Sequence, residues 1–162
     1  MELKELMKKF GDETELTQLL PDADGAYRLL IDEMPVSVFP AGDGRFALYA
    51  PVGEPPPDAP AGRERLYRLL LESAHLGRGT AGAFFSVDAG TGEICLQRLE
   101  STATMDFEGF KLQLGNFVNA LVEWRRIVAD FRPVAAKVDE ALREGEEASR
   151  NLAMGADGFM QV

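Results

Sequence analysis

The sequence is short of the residues on which most catalytic and metal-binding proteins depend. It has one cysteine, Cys95, so an internal disulfide is impossible and a multi-cysteine metal site cannot form. Cys95 sits in the strand-like run "EICLQRL" and reads as a small buried apolar residue. It has one histidine, His75. Any Ser-His-Asp or Cys-His mechanism would have to pass through it, and its sequence neighbours Glu72 and Ser73 make no relay. A histidine closing a helix, near the negative end of the dipole, is the expectation. Long apolar runs are missing too. None approaches the roughly 18 residues a membrane span needs, and "MELKELMKKF" has no apolar stretch of the secretory kind. The expectation is a cytoplasmic protein without membrane insertion. Positive charge is scarce: 17 basic against 27 acidic residues give a net charge of -10 and a pI near 4.6. Such a surface repels phosphate backbones, so nucleic acid is not an expected partner.

Carboxylates are plentiful, yet they are not arranged for chemistry. "DADG" and "DAGTGE" lack the full spacing of a calcium loop and read as turns, and "EGEEAS" reads as a solvated helix face. No pair can be singled out for acid-base work. The chain is therefore expected to be neither an enzyme nor a holder of a metal or cofactor.

One motif argues otherwise at first sight. "GRGTAG", Gly77 to Gly82, spells G-x-G-x-x-G. In dinucleotide-binding folds a strand enters those glycines and a helix leaves them, so that the helix N-terminus meets the pyrophosphate. Here the apolar stripe of "RERLYRLLLESAHLG" marks a helix before the glycines, and "GAFFSV" marks a strand after them. The order is reversed. The glycines read as a helix-to-strand connection, with Gly77 as the left-handed residue that ends the helix.

What the chain does have is apolar periodicity. Leu3, Leu6, Met7 and Phe10 share one face of a short N-terminal helix, with Gly11 as its expected stop and "ELTQLLPD" as a further turn. Three strands follow in "AYRLLID", "PVSVF" and "RFALYAP", placing Tyr27, Leu29 and Ile31, then Val36 and Val38, then Phe46 and Leu48 on shared faces. Met34-Pro35 and "PAGDG" read as the links, short enough for antiparallel neighbours. "VGEPPPDAPAG" is a stiff connector. In the second helix Leu66, Leu69, Leu70, Ala74 and Leu76 form a stripe that Tyr67 and Leu71 widen, so this helix should be covered on two sides. "GAFFSVDAGTGEICLQRLE" is a hairpin. Then Phe107, Phe110, Leu114, Phe117, Leu121, Trp124, Val128 and Phe131 step by threes and fours in a single seam, the mark of a long helix laid across a sheet. Thr104 or Asp106 is its expected cap, and mid-helix Gly115 suggests that another backbone comes close. A last helix is expected from Pro133 to Leu152, ahead of a tail with Phe159, Met160 and Val162 that could fold into an apolar groove.

The fold class expected is α+β: a twisted antiparallel sheet packed by helices in the order α-β-β-β-α-β-β-α, with an extra C-terminal helix. That order resembles the class I type III secretion chaperones, the CesT or Tir-chaperone-like group. The resemblance is carried by Leu69, Leu70, Ala74, Leu76 and Gly77, then Phe85, Val87 and Asp88, then Gly92 and Leu96. The last helix adds Phe110, Leu114, Phe117 to Asn119 and Leu121 to Trp124. It covers residues 1–131 and leaves 132–162 as an extension. It implies a homodimer meeting through the second helix and the nearby hairpin, here Leu66, Tyr67, Leu70, Leu71 and Phe84. It also implies a guest, the chaperone-binding segment of a secreted effector, held extended and export-competent without ATP. Leu3, Leu6, Met7 and Phe10 are then expected as one wall of the guest's groove, and Val36, Val38, Phe46 and Leu48 as the other. A regulatory or adaptor module on the same scaffold is the alternative.

Overall fold

The protein is described here from a computed structural model covering residues 1–16, 19–57 and 60–131. Helix α1 (Leu3–Glu13) leads into strands β1 (Tyr27–Ile31), β2 (Met34–Pro40) and β3 (Arg45–Gly53). Helix α2 (Pro60–Ala74) and a short 3-10 turn (His75–Gly77) come next. Strands β4 (Phe84–Val87) and β5 (Ile94–Ser101) form the hairpin, and α3 (Phe107–Asp130) closes the series. The element order and the α+β class are those expected. The strands make one antiparallel sheet in the order β1-β2-β3-β5-β4. After β3 the chain crosses through α2, and β5 returns beside β3, which leaves β4 on the outside. The two free edges of the sheet are thus β1 and β4.

The core lies on one face of the sheet. In β3, Phe46, Leu48, Ala50 and Val52 are buried, and Ala47, Tyr49 and Pro51 between them are half-buried. That alternation follows from side chains pointing to opposite faces in turn. On the buried face α3 sets down Phe110, Leu114, Phe117, Leu121, Trp124 and Val128, all buried. The seam read from the sequence is the one that packs, with Phe107 and Phe131 half-buried at its ends. Asp106 caps the helix, its Oδ1 accepting from the Gly109 N–H at 2.8 Å. Near the start of α3 the Phe110 ring meets Phe46 and Phe10, each centroid pair at 5.9 Å. Near its end Trp124 meets Phe85 edge-on at 4.9 Å. Side chains of this size dominate the hydrophobic term, at roughly 1.5–3 kcal/mol each when fully buried.

Several local expectations need correction. Gly11 does not stop α1, which runs on to Glu13. It is buried, and a Cβ there would lie 3.2 Å from the Leu16 carbonyl oxygen, so the glycine lets the following loop fold back against the helix. "ELTQLLPD" adds no helical turn among its described residues, because Glu15 takes a left-handed conformation that breaks the path. Met34 and Pro35 belong to β2, and the β1–β2 turn is made by Asp32 and Glu33, both with positive φ. That matches the twist of a two-residue hairpin and needs no glycine. At Gly115 no described residue lies within 4 Å of where a Cβ would stand, so no close backbone among the described residues explains it. The helix expected from Pro133 to Leu152, and the tail with Phe159, Met160 and Val162, lie outside the described residues.

The "GRGTAG" segment is a helix-to-strand connection. Gly77 has φ +67, and a Cβ on it would come within 2.7 Å of the Gly82 Cα, so the loop closes on itself only because Gly77 lacks a side chain. Three side chains then fasten it. Trp124 donates its indole N–H to the Gly79 carbonyl at 2.9 Å, the Thr80 hydroxyl bonds the Ala83 carbonyl at 2.5 Å, and the Arg98 guanidinium donates to the Ala81 carbonyl. Arg98 is itself paired with Glu100. The loop's carbonyls face these donors, and no helix begins on its downstream side.

Candidate binding surfaces

Each free edge of the sheet carries a hollow. At the β1 edge, α1 and the loop after it enclose a cavity of roughly 290 Å³. Met7, Leu16, Leu19, Leu20, Pro21 and Tyr27 give it apolar walls, and Lys4, Lys8 and Asp12 stand around it. Leu20 is 77% exposed there, a large apolar group with no cover in the described protomer. The approach to β1 is braced by Asp22. Asp22 Oδ1 accepts from the backbone N–H groups of Ala26 at 2.9 Å and Asp24 at 3.0 Å, and Oδ2 takes the Arg28 guanidinium at 3.1 Å. The Ala26 N–H foremost, then Arg28, hold the Asp22 carboxyl below its ordinary range, against the opposing effect of desolvation. The far end of α1 is tied down by Lys111, whose Nζ lies 2.8 Å from Glu13 and 3.0 Å from Glu108.

At the β4 edge the hollow is of similar size, about 300 Å³, and almost wholly apolar, lined by Tyr67, Leu70, Leu71, Phe85, Ser86 and Val87. Around it Leu71, Phe84 and Val87 are exposed. A third cavity, about 420 Å³, lies where the described chain ends, between the proline connector (Pro55, Pro56, Pro57) and Arg125, Val128 and Phe131. On the open face of the sheet Cys95 is buried and shares a 2.9 Å hydrogen bond with the Tyr49 hydroxyl. The bond to Cys95, then burial, pushes the Tyr49 phenol up to about 12, and burial pushes the Cys95 thiol up as well. A thiol held in that form is a poor nucleophile. Among the described residues no three His, Cys, Asp or Glu side chains converge as metal ligands, and no helix is long and apolar enough to cross a membrane.

Residues 5–125 match the model of the Tir chaperone protein (CesT) family. The chain belongs to that family. No curated protein matches it significantly in sequence. Solved structures do match in fold. A chain of the ExsC–ExsE complex aligns with a TM-score of 0.64 and 25% identity, over 79% of this chain and 97% of that one. A chain of the HopA1–SchA chaperone–effector complex aligns with a TM-score of 0.60 and 19% identity, over 76% and 92%. One from the heterodimeric ExoU–SpcU complex of the Pseudomonas aeruginosa type III secretion system gives 0.57 and 18%, over 82% and 99%.

Set against the CesT fold, the residues expected in a guest groove divide sharply. Leu6, Met7, Val36, Val38, Phe46 and Leu48 are at most 1% exposed and belong to the core of the protomer. Val36, Val38, Phe46 and Leu48 lie on the sheet face that packs against α3, and Leu6 and Met7 of α1 join the same core cluster. Leu3 and Phe10 are half-buried against that core. Of the eight, Met7 alone lines the α1 cavity. Lys4, Lys8, Leu16, Leu20 and Tyr27, which stand at the hollow, were not expected there. Tyr27 was legible only as a strand residue, and the loop leucines read as more helix. The residues expected at the self-interface divide as well. Leu66 and Leu70 are buried inside the protomer, Tyr67 is half-buried, and Leu71 and Phe84 face outward.

Proposed function

We propose that this CesT-family protein is a type III secretion chaperone that binds the chaperone-binding segment of a secreted effector in extended form, keeping it soluble and ready for export by binding energy alone. The observation that carries the reading is the free edge of β1 beside an apolar hollow roofed by α1. An unpaired edge offers backbone N–H and C=O groups to an incoming strand, and a pocket at its side takes that strand's side chains. A guest that is unfolded by itself meets its ordering cost on binding, which limits affinity and lets it be released at the export channel. The ExsC–ExsE, HopA1–SchA and ExoU–SpcU structures are themselves complexes, the second described as chaperone with effector, and they support this reading.

The same reading gives the β4 edge to a second copy of the chain, through Tyr67, Leu71, Phe84 and Val87. A hollow lined by almost nothing polar, with Leu71 70% exposed at its rim, suits a lasting partner of like surface. The catalytic roles absent from the sequence reading have no place in this function.

The test is co-expression with effector genes of the same genome. One effector should become soluble only with this protein, in a complex whose mass by light scattering contains two copies of it. The effector should be exported poorly once the chaperone gene is deleted. Equal solubility and equal export of all such effectors without it would refute the proposal.

A further inference from the structure

We propose that the segment received beside α1 carries acidic residues next to its apolar anchor, and that Lys4 and Lys8 recognise them. This rests on the groove reading above and adds to it the charge of the guest. Three of the five lysines in the sequence, Lys4, Lys8 and Lys9, fall within α1, in a chain whose net charge is -10. Lys4 and Lys8 stand one helical turn apart and line the cavity with Met7 and Gly11.

Their charges are available. Among the described residues neither makes an ion pair, whereas Lys111 is held by Glu13 and Glu108 and Arg28 by Asp22. Asp12 is the one acid among the residues lining the cavity, set against two lysines. Asp22, next to Pro21 of the wall, is already matched by Arg28. The residues lining the hollow therefore combine apolar walls with two lysines against one acid, on a protein whose net charge is -10. A lysine has a flexible four-carbon stem, so it can lie along an apolar guest and still bring its ammonium to a neighbouring carboxylate. The complement is a strand that seats one large apolar side chain and bears Glu or Asp within a residue or two of it.

Short synthetic peptides test this against the full-length protein. Three share one apolar anchor pattern and differ only in having Glu, Gln or Lys at the flanking positions, and binding is followed by fluorescence anisotropy at low and high salt. The Glu peptide should bind about three- to tenfold tighter than the Gln peptide, since partly exposed ion pairs contribute modestly. The Lys peptide should bind weakest, and the differences should shrink at high salt. In the Lys4→Gln/Lys8→Gln variant the Glu preference should vanish, whereas Lys9→Gln, off the cavity lining, should leave it in place. Equal binding of the Glu and Gln peptides, a preference for Lys, or a Glu preference that survives the double variant would overturn the charge assignment and leave the groove standing. If no peptide binds and Leu20→Asp leaves effector capture unchanged, the groove itself is wrong, and the charge assignment falls with it.

Discussion

The two edges of the sheet differ in what lies beside them. The β4 edge is a strand of four residues, fixed from behind by Trp124, Arg98 and the glycine loop, and its hollow is apolar almost throughout. The β1 edge is reached through the Asp22 turn, and its hollow mixes leucines with two lysines. Apolar surface associates without regard to direction, and it suits a partner that stays. Charged rims set orientation and rate of encounter, and they suit a partner that is chosen and released. One helix serves both ends, α3 supporting α1 through Phe110 and β4 through Trp124.

That division can be broken at each end separately. The largest effect is expected from Phe110→Ala, which empties a fully buried ring site between Phe10 and Phe46. It should cost about 3–5 kcal/mol in denaturant unfolding. Hydrogen exchange should rise first in α1, and β4 should stay protected longer. Loss of protection in β4 ahead of α1 would contradict the assignment of the two ends of α3.

Next comes self-association. Leu71→Asp with Phe84→Asp should halve the mass seen by light scattering while the far-UV circular dichroism is unchanged, because both side chains are exposed in the protomer. A dimer that persists would move the self-interface elsewhere. Leu20→Asp should do the reverse, leaving the mass alone and weakening effector binding by about tenfold, the scale of one lost apolar anchor. If it dissociates the dimer instead, the two edges have been assigned the wrong way round.

Smaller effects sharpen the picture. Trp124→Phe removes the bond to the Gly79 carbonyl, and it should cost about 1–2 kcal/mol and loosen the glycine loop rather than α1. Tyr49 should ionise late in an ultraviolet absorbance titration, near pH 12 against an ordinary value of 10. Because the folded state raises this value, the stability it contributes is complete below pH 10 and fades as the pH climbs toward 12. In Tyr49→Phe the late transition should disappear. If it remains, another phenol owns it.

Much of this protein could be read from the order of its residues. The seam from Phe110 to Val128, the three-strand run, and the helix–glycine–strand order that removes "GRGTAG" from nucleotide chemistry all rest on periods of 3.6 and 2 and on turn residues. Those are local properties of the backbone, and the chain alone decides them. What it did not decide is which face of each element meets water. Val36, Val38, Phe46 and Leu48 share a face by alternation, but only the placement of α3 turned that face into the core. Leu66 and Leu71 sit on one helix, and only the packing of that helix buried the first and left the second exposed. The hollow beside α1 depends on residues distant in sequence, Lys4, Leu20 and Tyr27, which no period connects. Burial is a property of the whole assembly of elements, because it is set by what lies opposite a side chain rather than by what adjoins it in the chain.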